Sequence, residues 1–521
     1  MPVPVIDLFA GPGGLGEGFS QYGWRESDEP FFRIHLSVEK EKSAHRTLLL
    51  RAFFRQFAFG KAPQKYYEFP SKGASPEEVL KLREYKSQYR AALKEALCAE
   101  LGSGKAFNRE LDSKIEKALA TENSSHWVLI GGPPCQAYSL MGRARNKGVE
   151  GYVPEEDHRH FLYREYLRII AVHSPSVFIM ENVKGILSSN VNGYKIFNKI
   201  REDLENPGGG HRYRLFSLTK SLDLLEHDEV HDLKNEDFVI RAEKFGIPQS
   251  RHRVIVFGIR EDLTGIAGRP GILAENENSV PAGDVLALPA LRSGISRGKF
   301  SGEDWLRTVK DFPLKGVSAE ASSKEEKSVL KVVRQALRNL EIPGNESGGD
   351  YIAGTVSLEG SPLIESWYRD SRLKVVLNHS ARSHMVSDLH RYFFSACFAE
   401  ALGRTPRMHE FPEVLKPAHK NRDSGHFADR FKVQLSDKPS STVTSHISKD
   451  GHYYIHPDPL QCRSLTVREA ARLQTFPDNY FFCGNRTQQY VQVGNAVPPL
   501  LAYGIAEIVS EFIGKVRTLN G

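Results

Sequence analysis

The first half of the chain carries two hydrophobic rhythms in turn. Short apolar runs recur as VIDLF at 5–9, IHLSVE ending at Glu39, WVLIGG at 127–132, SVFIMEN at 176–182 and RVIVFGI at 253–259. Each has the length of a buried strand, and stretches of helical spacing such as HFLYREYLRIIAVH at 160–173 lie between them. Strands alternating with helices predict an α/β domain whose mostly parallel sheet is covered on both faces. An amphipathic helical insert over about 60–125 interrupts this rhythm. Ser75-Pro76-Glu77-Glu78 combines an N-cap, a proline at the first helical position and a capping box. Leu82, Tyr85, Tyr89, Leu93 and Leu97 then recur at helical spacing, as a core-facing stripe would.

From about 261 to 445 the pattern weakens and Gly, Pro and Ser become common. Helical periodicity returns in TVREAARLQTF and in the proline-started stretch AVPPLLAYGIAEIVSEFI at 496–513. This predicts a first domain over 1–260, a second, inserted domain over 261–445, and a C-terminal return to the first over 446–521.

Composition narrows the class only a little. The chain has 521 residues, 40% hydrophobic and 26% charged, as an ordinary globular protein has. It contains no run of about 18 apolar residues and no basic, cleavable leader, so a cytoplasmic protein without a membrane partner is expected. The five cysteines form no C-x-x-C pair, which argues against disulfides and structural zinc. His379, His384 and His390 lack a fixed ligand spacing, so no metal is expected. The net charge of +6 is compatible with a nucleic-acid partner. Residues 261–370 sum to −4 and residues 371–440 to +5, counting Lys and Arg against Asp and Glu.

Two loops carry candidate chemistry. Gly11, Gly13 and Gly16 satisfy G-x-G-x-x-G directly after the first strand, and Glu39 lies 23 residues beyond Gly16. Such a turn lets a ligand approach the backbone, and the acidic residue suits a ribose diol. Taken alone, the motif leaves open which nucleotide-type cofactor it serves. The second loop, GGPPCQAYS at 131–139, places Cys135 just past the end of a parallel strand, where open α/β sheets bind their ligands. Pro133 and Pro134 stiffen the loop and hold the thiol in one place, as a nucleophile requires.

Together with ENV at 181–183, QSRHR at 249–253, RSLTVREAARLQTFP at 463–477 and QVGNAVPP at 492–499, these two loops resemble, in order, the motifs of the DNA (cytosine-5)-methyltransferases. The overall pattern is most like the stand-alone enzymes of bacterial or phage modification systems. The resemblance implies a Rossmann-like methyltransferase sheet with a smaller inserted target-recognition domain, and S-adenosylmethionine as methyl donor. It makes Cys135 the nucleophile toward cytosine C6 and Glu181 the acid that stabilises charge at N3. Arg251 and Arg253, expected on one face as they enter the last strand, would contact the flipped nucleotide, one guanidinium on the cytosine O2 and the other on phosphate or in support of Glu181. Phe9 would stack on adenine, Gly11, Gly13 and Gly14 would form the turn, Glu39 would hold the ribose, and Asn495 would close the pocket. The acidic residue for the adenine amino group falls between Glu39 and Trp127 and is not identified. The loop LMGRARNKGVEGY after Cys135 suits a lid, with Arg143, Arg145 and Lys147 meeting phosphates. Double-stranded DNA is the expected partner, a cognate restriction endonuclease would act separately, and a monomer is expected. A tRNA cytosine-5 methyltransferase and a catalytically inactive DNA-binding homologue are the competing readings.

Overall fold

A computed structural model describes the protein except for residues 26–28, 70–74, 123, 135–161, 192–193, 221–232, 298–299, 355–361, 418–428 and 521. Its backbone forms two compact units. The first comprises Met1–Pro63, Pro76–Asn278 and Ala496–Gly521, and the second Gln64–Ser75 and Ser279–Asn495.

The first unit is built on an eight-stranded sheet. Its strands are β1 (Val3–Leu8), β2 (Phe32–Glu39), β3 (Ala96–Cys98), β4 (Val128–Gly131), β5 (Val177–Val183), β6 (Tyr213–Phe216), β7 (Val239–Arg241) and β8 (His252–Arg260). The order is β3-β2-β1-β4-β5-β8-β6, with β7 also paired to β8. β3 through β5 run parallel, and β8 lies antiparallel to its three neighbours. Every residue of β1 and β4 is buried, as a strand covered on both faces must be. Each apolar run read from the sequence is therefore a strand of one sheet. The order reverses between β1 and β4, where Leu8 pairs with Gly131. The loops leaving these two strands emerge side by side at the topological switch point, the place where doubly wound sheets bind ligands.

Helices α1 (Gly14–Gln21), α2 (Lys42–Phe54), α3 (Lys86–Glu95), α4 (Lys105–Thr121) and α5 (Leu162–His173) belong to this unit. So does the C-terminal helix Pro499–Asn520, which crosses α1 closely: a Cβ on Gly18 would lie 2.4 Å from the Ala502 Cβ. The stretch Arg486–Leu519 is long and apolar enough to cross a membrane by composition. Its apolar residues Leu501, Ile505, Val509, Phe512 and Ile513 are instead core residues of the first unit.

The insert departs from the expected single stripe. Helix Pro76–Leu80 stops, α3 begins at Lys86, and Leu97 lies in β3, opposite Val38 of β2. Leu93 is 45% exposed, while Ala92 and Glu95 face inward. The open edge of β2 explains this, because pairing 96–98 satisfies backbone groups that would otherwise be left unbonded. Glu95 is held in place by an ion pair with Arg55.

The second unit is more helical than its weak periodicity suggests. Helices α6 (Gly302–Lys310) and α7 (Lys324–Asn339) each open on a capping box, Ser301/Asp304 and Ser323/Glu326. They share a core with α8 (Val386–Leu402) through Trp305, Val333, Leu389 and Phe393. A hairpin of β9 (Gly348–Ala353) and β10 (Val375–Ser380), with α9 (Val467–Leu473) and α10 (Arg486–Asn495), completes it. Residues 446–495 therefore pack with this unit, and the return to the first begins at Ala496 rather than near 446. Buried arginines account for the difference. Arg472 donates to the Val285 carbonyl at 3.1 Å, and Arg468 donates to the Leu377 carbonyl at 2.8 Å.

Candidate active site

The C-terminal edge of the sheet gathers Phe9, Gly11, Gly13, Glu39 and Glu181. Beyond β1, the chain turns through Phe9 (φ 57°), Gly11 (φ 58°) and Gly13 (φ 100°). Phe9 adopts the left-handed region without being glycine, a strained conformation that clusters at ligand sites. The Gly11 amide donates to Glu39 Oε2 at 2.8 Å, and the Glu41 amide donates to Glu39 Oε1 at 2.7 Å. Glu39 is thereby fixed between the end of β2 and the glycine turn. Each carboxylate oxygen still keeps a lone pair with which to accept from a diol.

β3 adds a carboxylate that sequence reasoning left unnamed. Cys98 lies opposite Glu39 in register, and the Ala99 amide donates to the Glu39 carbonyl at 3.1 Å. Glu100 follows, 3.1 Å from Lys40 in an exposed ion pair. Asp112, another carboxylate in the insert, is engaged elsewhere by Arg168 and His173, both at 2.9 Å. Recognising Glu100 requires knowing that residues 96–98 form a strand.

The neighbouring loop leaves β4 as Gly132-Pro133-Pro134. Cys135 and the expected lid with Arg143, Arg145 and Lys147 lie outside the described residues. Several groups flank the entrance to the loop. Glu181, near the end of β5, presses on Gly132 so closely that a Cβ there would lie 2.9 Å from Oε2. Its Oε1 is 2.9 Å from Arg253 Nε, and both side chains are 12% exposed. Burial lowers the Arg253 pKa from its ordinary value, and the Glu181 charge acts in the opposite direction. Next to Glu181, Asn182 donates to the Pro133 carbonyl at 3.3 Å. A carboxylate, a guanidinium and an amide thus converge on the segment that leads into Cys135.

The model of the C-5 cytosine-specific DNA methylase family matches residues 105–511. The chain belongs to that family. As a member, this methylase transfers a methyl group to C5 of cytosine in DNA. Its similarity to curated relatives extends over nearly the whole chain. It is 35% identical over 524 residues to type II methyltransferase M.Bpa9945I of Bacillus paralicheniformis, covering 98% of this chain and 99% of the relative. It is 25% identical to type II methyltransferase M.DdeI of Desulfomicrobium norvegicum, covering 99% and 90%. The DNA (cytosine-5-)-methyltransferase M.ApeKI of Aeropyrum pernix is 26% identical over 436 residues, covering 75% and 82%. Among solved structures, an E. coli chain described as a prophage-encoded DNA modification methyltransferase aligns with a TM-score of 0.50 at 18% identity, covering 98% and 99%. That likeness supports the Rossmann-like fold.

Three expectations about the methylase's site change with the geometry. Arg251 and Arg253 do not alternate onto one face of the strand. Arg251 precedes β8, with its amide bonded to the Gln249 carbonyl at 2.9 Å and its carbonyl to the Ala242 amide at 3.0 Å. The alternation of a strand therefore does not reach it. Its side chain is 1% exposed and donates to the Ala496 carbonyl at 2.7 Å. Gly14 also differs from Gly11 and Gly13: its φ is not positive, and its lack of a side chain answers a close neighbour, Val497. Asn495 is exposed at the C-terminal end of α10, in the second unit.

Proposed function

We propose that this methylase moves a methyl group from S-adenosylmethionine to C5 of a cytosine flipped out of a specific duplex sequence, through a covalent adduct of Cys135 at C6. The single observation that carries the reading is the Glu181–Arg253 pair seated on Gly132, at the entrance to the Cys135 loop. Cytosine C5 is a poor nucleophile until a thiolate adds to C6. As the Cys135 sulfur–C6 bond forms, charge flows to N3, where Glu181 in its protonated form donates a proton that it takes back when the sulfur–C6 bond breaks. Arg253 orients Glu181 and donates to O2. Bound S-adenosylmethionine supplies an electrophilic methyl group to the activated C5. Loss of the C5 proton to a base then lets the sulfur–C6 bond break and returns the thiolate. Taking the cytosine out of the stack costs a few kcal/mol, which contacts to the duplex must offset.

The residues of the glycine turn fit the methyl donor. Glu39 holds the ribose hydroxyls, Phe9 stacks on the adenine, Gly11 and Gly13 form the turn, and Gly14 lets α1 begin against Val497. Glu100 takes the adenine amino group. Residues 279–445 of the second unit read the duplex sequence, and a separate cognate endonuclease completes a restriction–modification pair. The naming of the relatives as type II methyltransferases supports that last point.

The test is methyl transfer to duplex DNA and to tRNA, followed by bisulfite sequencing of plasmid from an expressing host. Modification of duplex DNA at one recurring site supports the proposal. Transfer to tRNA alone, or transfer by a Cys135→Ser variant, overturns it.

A further inference from the structure

The peptide segment Ala496-Val497, which reopens the first unit, touches both parts of the candidate site. On one side it meets the start of α1. A Cβ built on Gly14 would lie 2.3 Å from the Val497 oxygen and 3.3 Å from its carbonyl carbon and nitrogen. No side chain fits there, so α1 begins in direct backbone contact with Val497. On the other side, Arg251 Nη2 reaches the Ala496 carbonyl at 2.7 Å. Arg251 is 1% exposed, and its own backbone is bonded through both its amide and its carbonyl.

A buried guanidinium needs charge-assisted hydrogen bonds to offset its lost hydration, and its rigid fork fixes the direction of the group it binds. The family resemblance would give Arg251 to the flipped nucleotide. From the geometry we infer a different role, in which Arg251 is a positioning residue for the methyl-donor pocket. It holds the Ala496–Val497 peptides against the glycine turn and does not contact the target base. This inference rests on the reading of the glycine turn as the S-adenosylmethionine site. The path is short and made of backbone, running from Arg251 to the Ala496 carbonyl, to the Val497 peptide, and on to Gly14. Loosening its first link frees the peptide that packs on α1 while leaving the Glu181–Arg253 pair in place.

The full-length protein is compared with Arg251→Ala, Arg251→Lys, Gly14→Ala and the Arg251→Lys/Gly14→Ala double variant. Titration calorimetry with S-adenosylhomocysteine reads the pocket. Fluorescence anisotropy with a duplex carrying the site found by bisulfite sequencing reads DNA binding. Arg251→Ala is expected to raise the Kd for S-adenosylhomocysteine roughly 10- to 100-fold, the effect of losing a charge-assisted hydrogen bond. Arg251→Lys is expected to fall between it and wild type, and duplex affinity to stay within about twofold of wild type. Because both sites act through one contact, the double variant is expected to be weaker than wild type by less than the product of the two single effects. In turnover, KM for S-adenosylmethionine rises while kcat at saturating donor is kept. Normal affinity for S-adenosylhomocysteine with weakened duplex binding in Arg251→Ala would overturn the inference in favour of a nucleotide contact. If the alanine variant fails to fold by circular dichroism, Arg251→Lys and Gly14→Ala decide. Both binding S-adenosylhomocysteine like wild type would refute the role. A wild-type protein that does not bind S-adenosylhomocysteine would instead refute the pocket itself.

Discussion

Replacing Asp7 by asparagine is expected to stabilise the protein increasingly as pH rises. Asp7 lies on β1, two residues before Phe9, and is 1% exposed. Neither carboxyl oxygen makes a well-formed hydrogen bond among the described residues, and the pull of the Gly16 amide on α1, which lowers the pKa, is outweighed by burial. Burial is the main force on this group and pushes its pKa up from 3.8 to about 8. Arg55 beyond α2 opposes the rise, while Glu39 at the end of β2 and Glu95 at the end of α3 add to it. In the unfolded chain Asp7 ionises near 3.8, whereas in the folded protein it stays protonated to about 8. Below the lower value the two states bind the proton equally. Above it the unfolded state gains by ionising, so stability is lost as pH rises toward 8. At about 1.36 kcal/mol per unit, the loss at pH 7 is on the order of 4 kcal/mol. An asparagine side chain at this position cannot ionise, and it leaves the same space filled. The assay is urea unfolding of wild type and Asp7→Asn from pH 4 to pH 8, taking the difference in unfolding free energy at each pH. That difference cancels every other group that titrates alike in the two proteins. It is expected to be small near pH 4 and to grow to a few kcal/mol by pH 8, in favour of asparagine. A flat difference, or a variant less stable at pH 8, would refute the account of a carboxyl that burial keeps neutral.

Cys135→Ser is expected to abolish turnover while duplex binding survives, because a neutral hydroxyl does not add to C6; near-normal methylation by the variant would refute the nucleophile. Glu39→Ala is expected to raise KM for S-adenosylmethionine more than it lowers kcat at saturating donor, since the ribose is held alike in ground and transition states. Steady-state kinetics checks this, and a large fall in kcat with KM unchanged would contradict it. In the second unit, burial lowers the His379 pKa from 6.5 to about 4 and holds His384 well below its ordinary range. Both stay neutral in the fold while the unfolded chain takes up protons, so stability is lost as pH falls from about 6.5 toward 4. His379→Gln is expected to flatten the urea-midpoint profile over that window. Glu469→Gln is expected to cost roughly 3 kcal/mol or more in urea unfolding, because it leaves Arg463, now 2.6 Å from Glu469 with both side chains 0% exposed, as a buried charge without its counter-ion.

What the sequence disclosed divides along a physical line. Strands covered on both faces appear as continuous apolar runs, so β1, β4, β5 and β8 are legible without any knowledge of their partners, and β2 is legible as an alternating run. The glycine turn and the GGPPCQ loop are legible for a similar reason, since their chemistry resides in adjacent residues. β3 is different. Its three residues end what looks like a helical stripe, and only the open edge of β2 makes them a strand. Glu100 stayed hidden with it, because a carboxylate gains meaning at that edge once its strand is known. Arg251 shows the same limit more sharply. Counting alternate residues into an apolar run put it beside Arg253, but its partner is a carbonyl 245 residues away. Residues 446–495 followed the same rule: their helical signal was plain, yet buried guanidinium groups reaching the Val285 and Leu377 carbonyls tie them to the second unit. In each miss a side chain or strand edge satisfies a backbone group far off in the chain, and nothing in local periodicity records which carbonyl is waiting. The Arg251 experiment therefore tests more than one residue. If its loss reaches the methyl-donor pocket through Val497 and Gly14, the small residue at Gly14 is explained by a distant peptide, and the turn by its own φ angles at Gly11 and Gly13. One glycine motif would then record two separate constraints.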